Sequence, residues 1–243
     1  MNREKAITNS TDRLNERIST SWGTNVQIRA EDLEQGTDVS YIHVIKPWVL
    51  QRVTQYTTPK SWILDAGCGC GYLSNAIYES GRPLVRGVDI STDAVEYARK
   101  KYPAISFYCE DICCYVSAEQ YDLCIAAMTL NNLPNLDKFF SAIHGLLSST
   151  GRVILVIPHP CYWPQRHLIN QNYLYSQEKP YEYAFSTRGR TDYLSPVLYF
   201  HRTLETYFSC VRNGGFQVTM IKELWDASDK SVPDILGMEL TLI

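Results

Sequence analysis

The sequence predicts an α/β fold, a doubly wound parallel sheet with helices on both faces, and three observations predict it. Apolar runs of strand length alternate with helical patterns from residue 62 to residue 157. Alternate glycines, Gly67-Cys68-Gly69-Cys70-Gly71, follow directly on the first apolar run, Trp62 to Asp65. A second run ends in an acid, Asp89, about 20 residues beyond the glycines, the spacing of a strand–loop–helix–strand unit that binds a nucleoside.

Each element has its own signal. Residues 1 to 40 read as an N-terminal arm, polar at first, with Leu14, Ile18 and Trp22 at helical spacing and Gly23 and Gly36 as punctuation. The core spans 41 to 157. Tyr41 to Val53 has a helical pattern with Pro47 inside it, and the first strand is Trp62 to Asp65. A helix from Tyr72 to Ser80 follows the glycines, then a strand from Leu84 to Ile90. Ser91, Thr92 or Asp93 caps the next helix, which ends near Lys101. Strands follow at Ile105 to Cys109 and Asp122 to Ala127, then a helix at Asp137 to Leu147. Thr150-Gly151 turns into a fifth strand, Arg152 to Ile157. Residues 158 to 200 show neither period but are dense in aromatics and prolines. Such a long irregular segment leaving a strand's C-terminal end reads as a lid over a ligand, with a structural or dimer-forming insert as the alternative. Residues 201 to 243 supply a helix, stopped at Asn213-Gly214-Gly215, and two strands, Phe216 to Glu223 and Gly237 to Ile243.

Composition narrows the function. The chain has 243 residues, is 45% hydrophobic and 20% charged, and carries a formal net charge of -3. That balance gives no reason to expect nucleic acid or an anionic membrane as a partner. No apolar stretch has membrane-spanning length, and the polar start, Met1-Asn2-Arg3-Glu4-Lys5, reads as lacking a signal peptide, so a cytoplasmic location is expected. The eight cysteines then read as core thiols, not disulfides, and Cys113-Cys114 has no histidine at zinc spacing, so no metal is expected. The oligomeric state stays open, a homodimer included.

Charge selects the cofactor. A dinucleotide places its pyrophosphate, an anion, at the glycine loop. Asp65 stands immediately before the glycines and opposes that anion. It suits S-adenosylmethionine, which carries a sulfonium and an ammonium and no phosphate. The spacing is G-x-G-x-G, not G-x-G-x-x-G.

Residues Ile63 to Ser74, Gly87 to Ser91 and Tyr121 to Leu133 resemble the class I S-adenosylmethionine-dependent methyltransferases of the small-molecule type. The resemblance covers about residue 40 to about 157, and the C-terminal segment more loosely. It implies a Rossmann-like sheet of seven strands, parallel except for the last. It also implies site residues. Gly67, Cys68 and Gly69 pass the methionine part, and Asp65 with Ala66 faces its ammonium. Asp89 accepts both ribose hydroxyls, and Ile90 packs on adenine. Asp111 accepts from the adenine amino group, or Glu110 if the register shifts by one, with Ile112 beside the ring. Ala126, Ala127 and Leu130 close the pocket, and Tyr41, with His43 on the same segment, reaches the carboxylate. Asp65 as a loop or helix cap is the plainer alternative.

The implied reaction is in-line displacement at the methyl carbon. His159, directly beyond the fifth strand, is the candidate general base, or a residue that only shapes its loop. Tyr162, Trp163, Tyr199 and His201 are the candidate acceptor contacts. Asn131 and Asn132 either orient an acceptor or cap the next helix. The expected substrate is a small, aromatic or partly apolar molecule, with O-methylation favoured over N- or C-methylation on the strength of His159. The other reading is an S-adenosylmethionine-binding protein without transfer activity, serving as a regulatory or scaffolding subunit.

Overall fold

The computed structural model describes residues 2–168, 171–225 and 231–243, with side chains from residue 11 onward. Seven strands form the main sheet: β1 (Ile63–Ala66), β2 (Val85–Asp89), β3 (Ser106–Cys109), β4 (Tyr121–Ala127), β5 (Leu147–Pro158), β8 (Phe216–Leu224) and β9 (Ile235–Leu242). Their order is β3-β2-β1-β4-β5-β9-β8. All pairs from β3 to β5 are parallel, and β9 runs antiparallel to both β5 and β8. This is the seven-stranded, mostly parallel sheet that the sequence implied.

Side-chain alternation shows why helices must cover both faces. Ile63, Leu123, Ile125, Ile154 and Val156 pack on one face with Trp48, Val49, Ile77 and Val95. Leu64, Cys124, Ala126, Val153 and Leu155 pack on the other with Phe139, Phe140, Ile143 and Tyr207. A strand buried on both sides reads as a continuous apolar run, and β1 is buried at every residue. The covering helices are α2 (Lys46–Tyr56), α3 (Tyr72–Glu79), α4 (Thr92–Lys101), α5 (Leu136–Leu146) and α7 (Leu204–Asn213). Ser91 Oγ caps α4, accepting from Ala94 N–H at 3.4 Å, and Asn135 Oδ1 caps α5, accepting from Lys138 N–H at 2.9 Å.

Three expectations are corrected and one is refined. The N-terminal arm is one continuous helix, α1 (Asn2–Glu34), and Gly23 does not break it. A β-carbon at Gly23 would lie 2.6 Å from Asp93 Oδ2, so this glycine serves the approach of α1 to the start of α4. The helix from Tyr41 is not uniform: it opens with a wide π-type turn, Tyr41–Ile45, that runs without a break into α2, and Pro47, at the second position of α2, stands inside this continuous helical stretch as expected. Thr150-Gly151 lies inside β5, where Tyr121 pairs with Leu147 and Leu123 with Arg152, so the intervening residues bulge. The segment after β5 has structure of its own: α6 (Trp163–His167), and β6 (Pro180–Tyr183) paired antiparallel with β7 (Val197–Phe200). These elements are too short to show a period.

Candidate functional site

The C-terminal ends of β1, β2 and β4 open into one cavity of about 490 Å³. The glycine loop forms one wall. Gly67 and Cys68 N–H groups donate to Val88 O at 2.8 and 3.1 Å, which turns the loop over the end of β2. Gly67 has a φ of +80°, and a β-carbon there would overlap the Thr129 side chain. Thr129 in turn donates from Oγ1 to Ala66 O at 2.8 Å. Left-handed backbone and lack of space both demand glycine. Gly67→Ala should therefore lower stability by about 2–3 kcal/mol, read as a fall in the denaturant midpoint.

Asp89 ends β2 on the cavity wall. Its Oδ2 accepts from Gly69 N–H at 2.8 Å and its Oδ1 from Ser91 N–H at 2.9 Å. Burial raises its pKa, while the N–H donors of Ser91 and Gly69 pull it back. Both oxygens keep lone pairs for a further donor. Ile90, Asp111 and Ile112 continue the wall, and Asp111 Oδ2 accepts from Asn15 Nδ2 of α1 at 2.9 Å. Ala127, Tyr41 and Cys68 also line it.

Asp65 lies behind this wall. It is 1% exposed, and its Oδ2 accepts from Ser74 Oγ of α3 at 2.6 Å. Burial pushes its pKa up to about 7, opposed by the Ser74 hydroxyl. Ala66, Ala126 and Leu130 are fully buried beneath the loop and do not line the cavity.

A face of α1 forms much of the opposite wall: Asn15, Ile18, Trp22, Val26, Arg29 and Leu33, each one helical turn from the next. Arg29 is the partly buried cation among them. It pairs with Asp38 at 2.7 Å and lies over the rings of Tyr41 and Phe185, at 5.2 and 5.7 Å. Burial works against its charge, but Asp38 and Tyr193 outweigh burial and hold the pKa above its ordinary value.

The segment after β5 completes the enclosure with Trp163, His167, Tyr183, Phe185 and Thr187. It is tied to α1 by a clasp. Asn25 is fully buried; its Oδ1 accepts from Leu194 and Ser195 N–H at 2.9 and 3.0 Å, and its Nδ2 donates to Ser195 O at 2.7 Å. Tyr193 OH donates to Asp32 at 2.7 Å. Asn25→Ala strands two backbone donors and should cost about 2 kcal/mol. Faster amide exchange at residues 193 to 195 than in the sheet would locate that loss.

The comparisons agree with this geometry. Residues 63–151 match the family model described as "Methyltransferase domain". A ubiquinone biosynthesis O-methyltransferase of Coxiella burnetii is 28% identical over 118 residues, 46% of this chain and 50% of that protein. A malonyl-[acyl-carrier protein] O-methyltransferase of Hamiltonella defensa is 30% identical over 96 residues, 39% of this chain and 37% of that protein. The chain thus spans about half, or less, of the length of these curated relatives. The crystal structure of an S-adenosylmethionine-dependent methyltransferase from Clostridium acetobutylicum superposes with a TM-score of 0.65 at 14% identity, covering 88% of this chain and 97% of that one. Residues 63–151 are thus similar to a methyltransferase domain, and the sheet that holds them has the fold of S-adenosylmethionine-dependent methyltransferases.

Around this cavity, several expected contacts are corrected. His159 does not line the cavity. It is 3% exposed; its Nδ1 accepts from Cys161 N–H at 3.2 Å, and its Nε2 lies 3.6 Å from Glu223 on β8. Burial lowers its pKa, with Glu223 acting against that. With both nitrogens turned to protein, it shapes the loop. Tyr162 packs on the His159 ring at 4.6 Å, off the cavity. Tyr199 and His201 belong to the interior of the inserted segment: Tyr199 is fully buried against Trp163, and His201 Nε2 meets Tyr175 O at 2.9 Å. Trp163 alone of the four expected acceptor contacts lines the cavity, stacked on His167 at 4.4 Å.

Sequence reasoning missed most of the α1 contribution. Leu14, Ile18 and Trp22 were a signal, and carrying the same period to Val26, Arg29 and Leu33 would have found the stripe. Among the described residues no three His, Cys, Asp or Glu side chains are grouped to hold a metal ion, and no helix is long and apolar enough to cross a membrane.

Proposed function

We propose that this chain binds S-adenosylmethionine along the glycine-loop wall and transfers its methyl group to a small, partly apolar acceptor held under the aromatic segment. The observation that carries this is the single cavity joining Asp89 and the glycine loop to Trp163, Tyr183 and Phe185. The wall fits the cofactor's chemistry. Asp89 keeps lone pairs for two ribose hydroxyls, and Ile90 and Ile112 offer apolar surface to adenine. Asp111, already holding Asn15, retains acceptor capacity for the adenine amino group. Arg29 beside Tyr41 offers a partly buried cation to the methionyl carboxylate. Asp65 stands behind the loop and does not contact the wall.

The sulfonium supplies an already activated methyl group. The chain supplies alignment and exclusion of water. An aromatic enclosure favours a flat or apolar acceptor. The names of the two relatives speak for oxygen as the acceptor atom, but His159, the residue on which O-methylation was favoured, is turned away.

The test is calorimetric titration with S-adenosylmethionine and S-adenosylhomocysteine, with NAD as control. Binding of the first two in the micromolar range, about -8 kcal/mol, and none of NAD is expected. Binding of NAD, or of none of them, would sink the reading.

A further inference from the structure

The segment after β5 sets an imidazole on the cavity wall and fixes it there. α6 is short, but it is pinned from two sides. Arg166 Nη1 donates to both carboxylate oxygens of Asp234, at 2.8 and 3.0 Å, and Asp234 directly precedes β9. Asp234 O in turn accepts from His159 N–H at 2.7 Å, just past β5. On the other side Trp163 packs on Tyr199 at 4.7 Å and on Tyr183 at 5.2 Å, and Leu168, which follows the helix, is fully buried. His167, one turn on from Trp163, lies on the indole ring at 4.4 Å, with 18° between the planes. It is exposed and lines the cavity, so a ligand can reach it.

Its place along the sheet decides which ligand. The C-terminal edge runs β3, β2, β1, β4, β5, and β9 starts beside the end of β5, where Ile235 pairs with Pro158. The cavity follows that edge from Asp111 and Asp89, through Gly67 and Ala127, to Pro158 and Ile235. A cofactor with adenine at Asp111 and ribose at Asp89 takes the β3–β2 end and the glycine loop. The β5–β9 end is left for the acceptor, and the Arg166–Asp234 pair holds α6 over it.

Other bases are committed. Asp38 pairs with Arg29, and Asp234 with Arg166. Asp89 and Asp111 serve the cofactor, with Glu110 next to Asp111 at the far end. His159 faces Glu223. Burial lowers the His167 pKa; Asp234 works against that and Arg166 adds to it. Tyr183 of β6 is kept protonated by burial. His167 is therefore neutral at pH 7, the form that accepts a proton. A carboxylate or a neutral amine attacks without a base, whereas a hydroxyl needs one. Among hydroxyls a phenol is the better acid, and its flat ring suits Trp163, Tyr183 and Phe185.

We propose that, on the methyltransferase reading above, His167 is the general base that takes the proton of a phenolic hydroxyl as its oxygen attacks the methyl carbon. The O–C bond forms as the C–S bond breaks, and the C–S electron pair stays on sulfur as neutral S-adenosylhomocysteine. The imidazolium then releases its proton to solvent.

The test uses the full chain, S-adenosylmethionine with a labelled methyl group, and two phenols. At pH 8 4-ethylphenol keeps its proton and 4-nitrophenol has largely lost it. His167→Gln should lower kcat/KM by about 100-fold on 4-ethylphenol and far less on 4-nitrophenol, with S-adenosylhomocysteine affinity unchanged. A residue that only shapes the wall would slow both phenols alike. His167→Asn serves if the glutamine variant fails to fold. Wild-type turnover of 4-ethylphenol should also fall as pH drops through the His167 pKa, below the ordinary 6.5, because the protonated ring cannot accept. Equal losses on the two phenols, undiminished rates in the variant, or label in neither phenol while S-adenosylhomocysteine binds would overturn the assignment to His167 alone. Failure of the wild type to bind S-adenosylhomocysteine would overturn the parent reading with it.

Discussion

Asp89→Ala should lower S-adenosylhomocysteine affinity by about 100-fold or more, because two charge-assisted hydrogen bonds to the ribose are lost together. The same carboxylate also holds the Gly69 and Ser91 N–H groups, at 2.8 and 2.9 Å. The substitution therefore loosens the glycine loop as well. Asp89→Asn separates the two effects: one oxygen still accepts, so the loop keeps part of its order while the ribose loses its bidentate partner. Titration calorimetry of wild type and both variants, beside their melting temperatures, reads affinity and loop order independently. Equal affinity in all three proteins would remove Asp89 from the site.

The ligand-free protein should lose stability as pH rises from about 4 to about 7, and Asp65 should account for much of the slope. Burial holds its folded pKa at about 7 against an ordinary value of 3.8. Between those values the folded state keeps a proton that the unfolded chain has released, so stability falls with rising pH. It is fully present below the unfolded pKa and lost by the folded one. At about 1.4 kcal/mol per unit the effect is of the order of 4 kcal/mol. Asp65→Asn removes the titration and can still accept from Ser74 Oγ. Denaturant melts at pH 4 and pH 8 should show the variant gaining on wild type at the higher pH. Parallel pH profiles would mean that Asp65 is ionised throughout.

The strand–helix alternation and the glycine loop were legible because they rest on local patterns. β1 to β4 and α3 to α5 begin and end within a residue or two of where periodicity and caps place them. β5 was read short because its first residues pair across a bulge, and a bulge has no local period. The segment after β5 was read as structureless because β6 and β7 have four residues each and lie far apart in sequence. Asp89, Ile90, Asp111 and Ile112 reach the cavity wall because each sits at or just beyond the end of a strand, where a parallel sheet presents its ligand surface.

By itself, then, the sequence determined the order of the elements, the acid at the end of β2 and the glycines over it, since each follows from short-range sterics and burial. Only the tertiary structure decided that α1 walls the cavity, that Asn25 clasps it to residues 194 and 195, and that Arg29 meets Tyr41 and Phe185. It also decided that His159 turns to Glu223 and not to the cavity. These are contacts between segments far apart in the chain. Which way a side chain faces there is set by the packing of whole elements, and no local pattern records it.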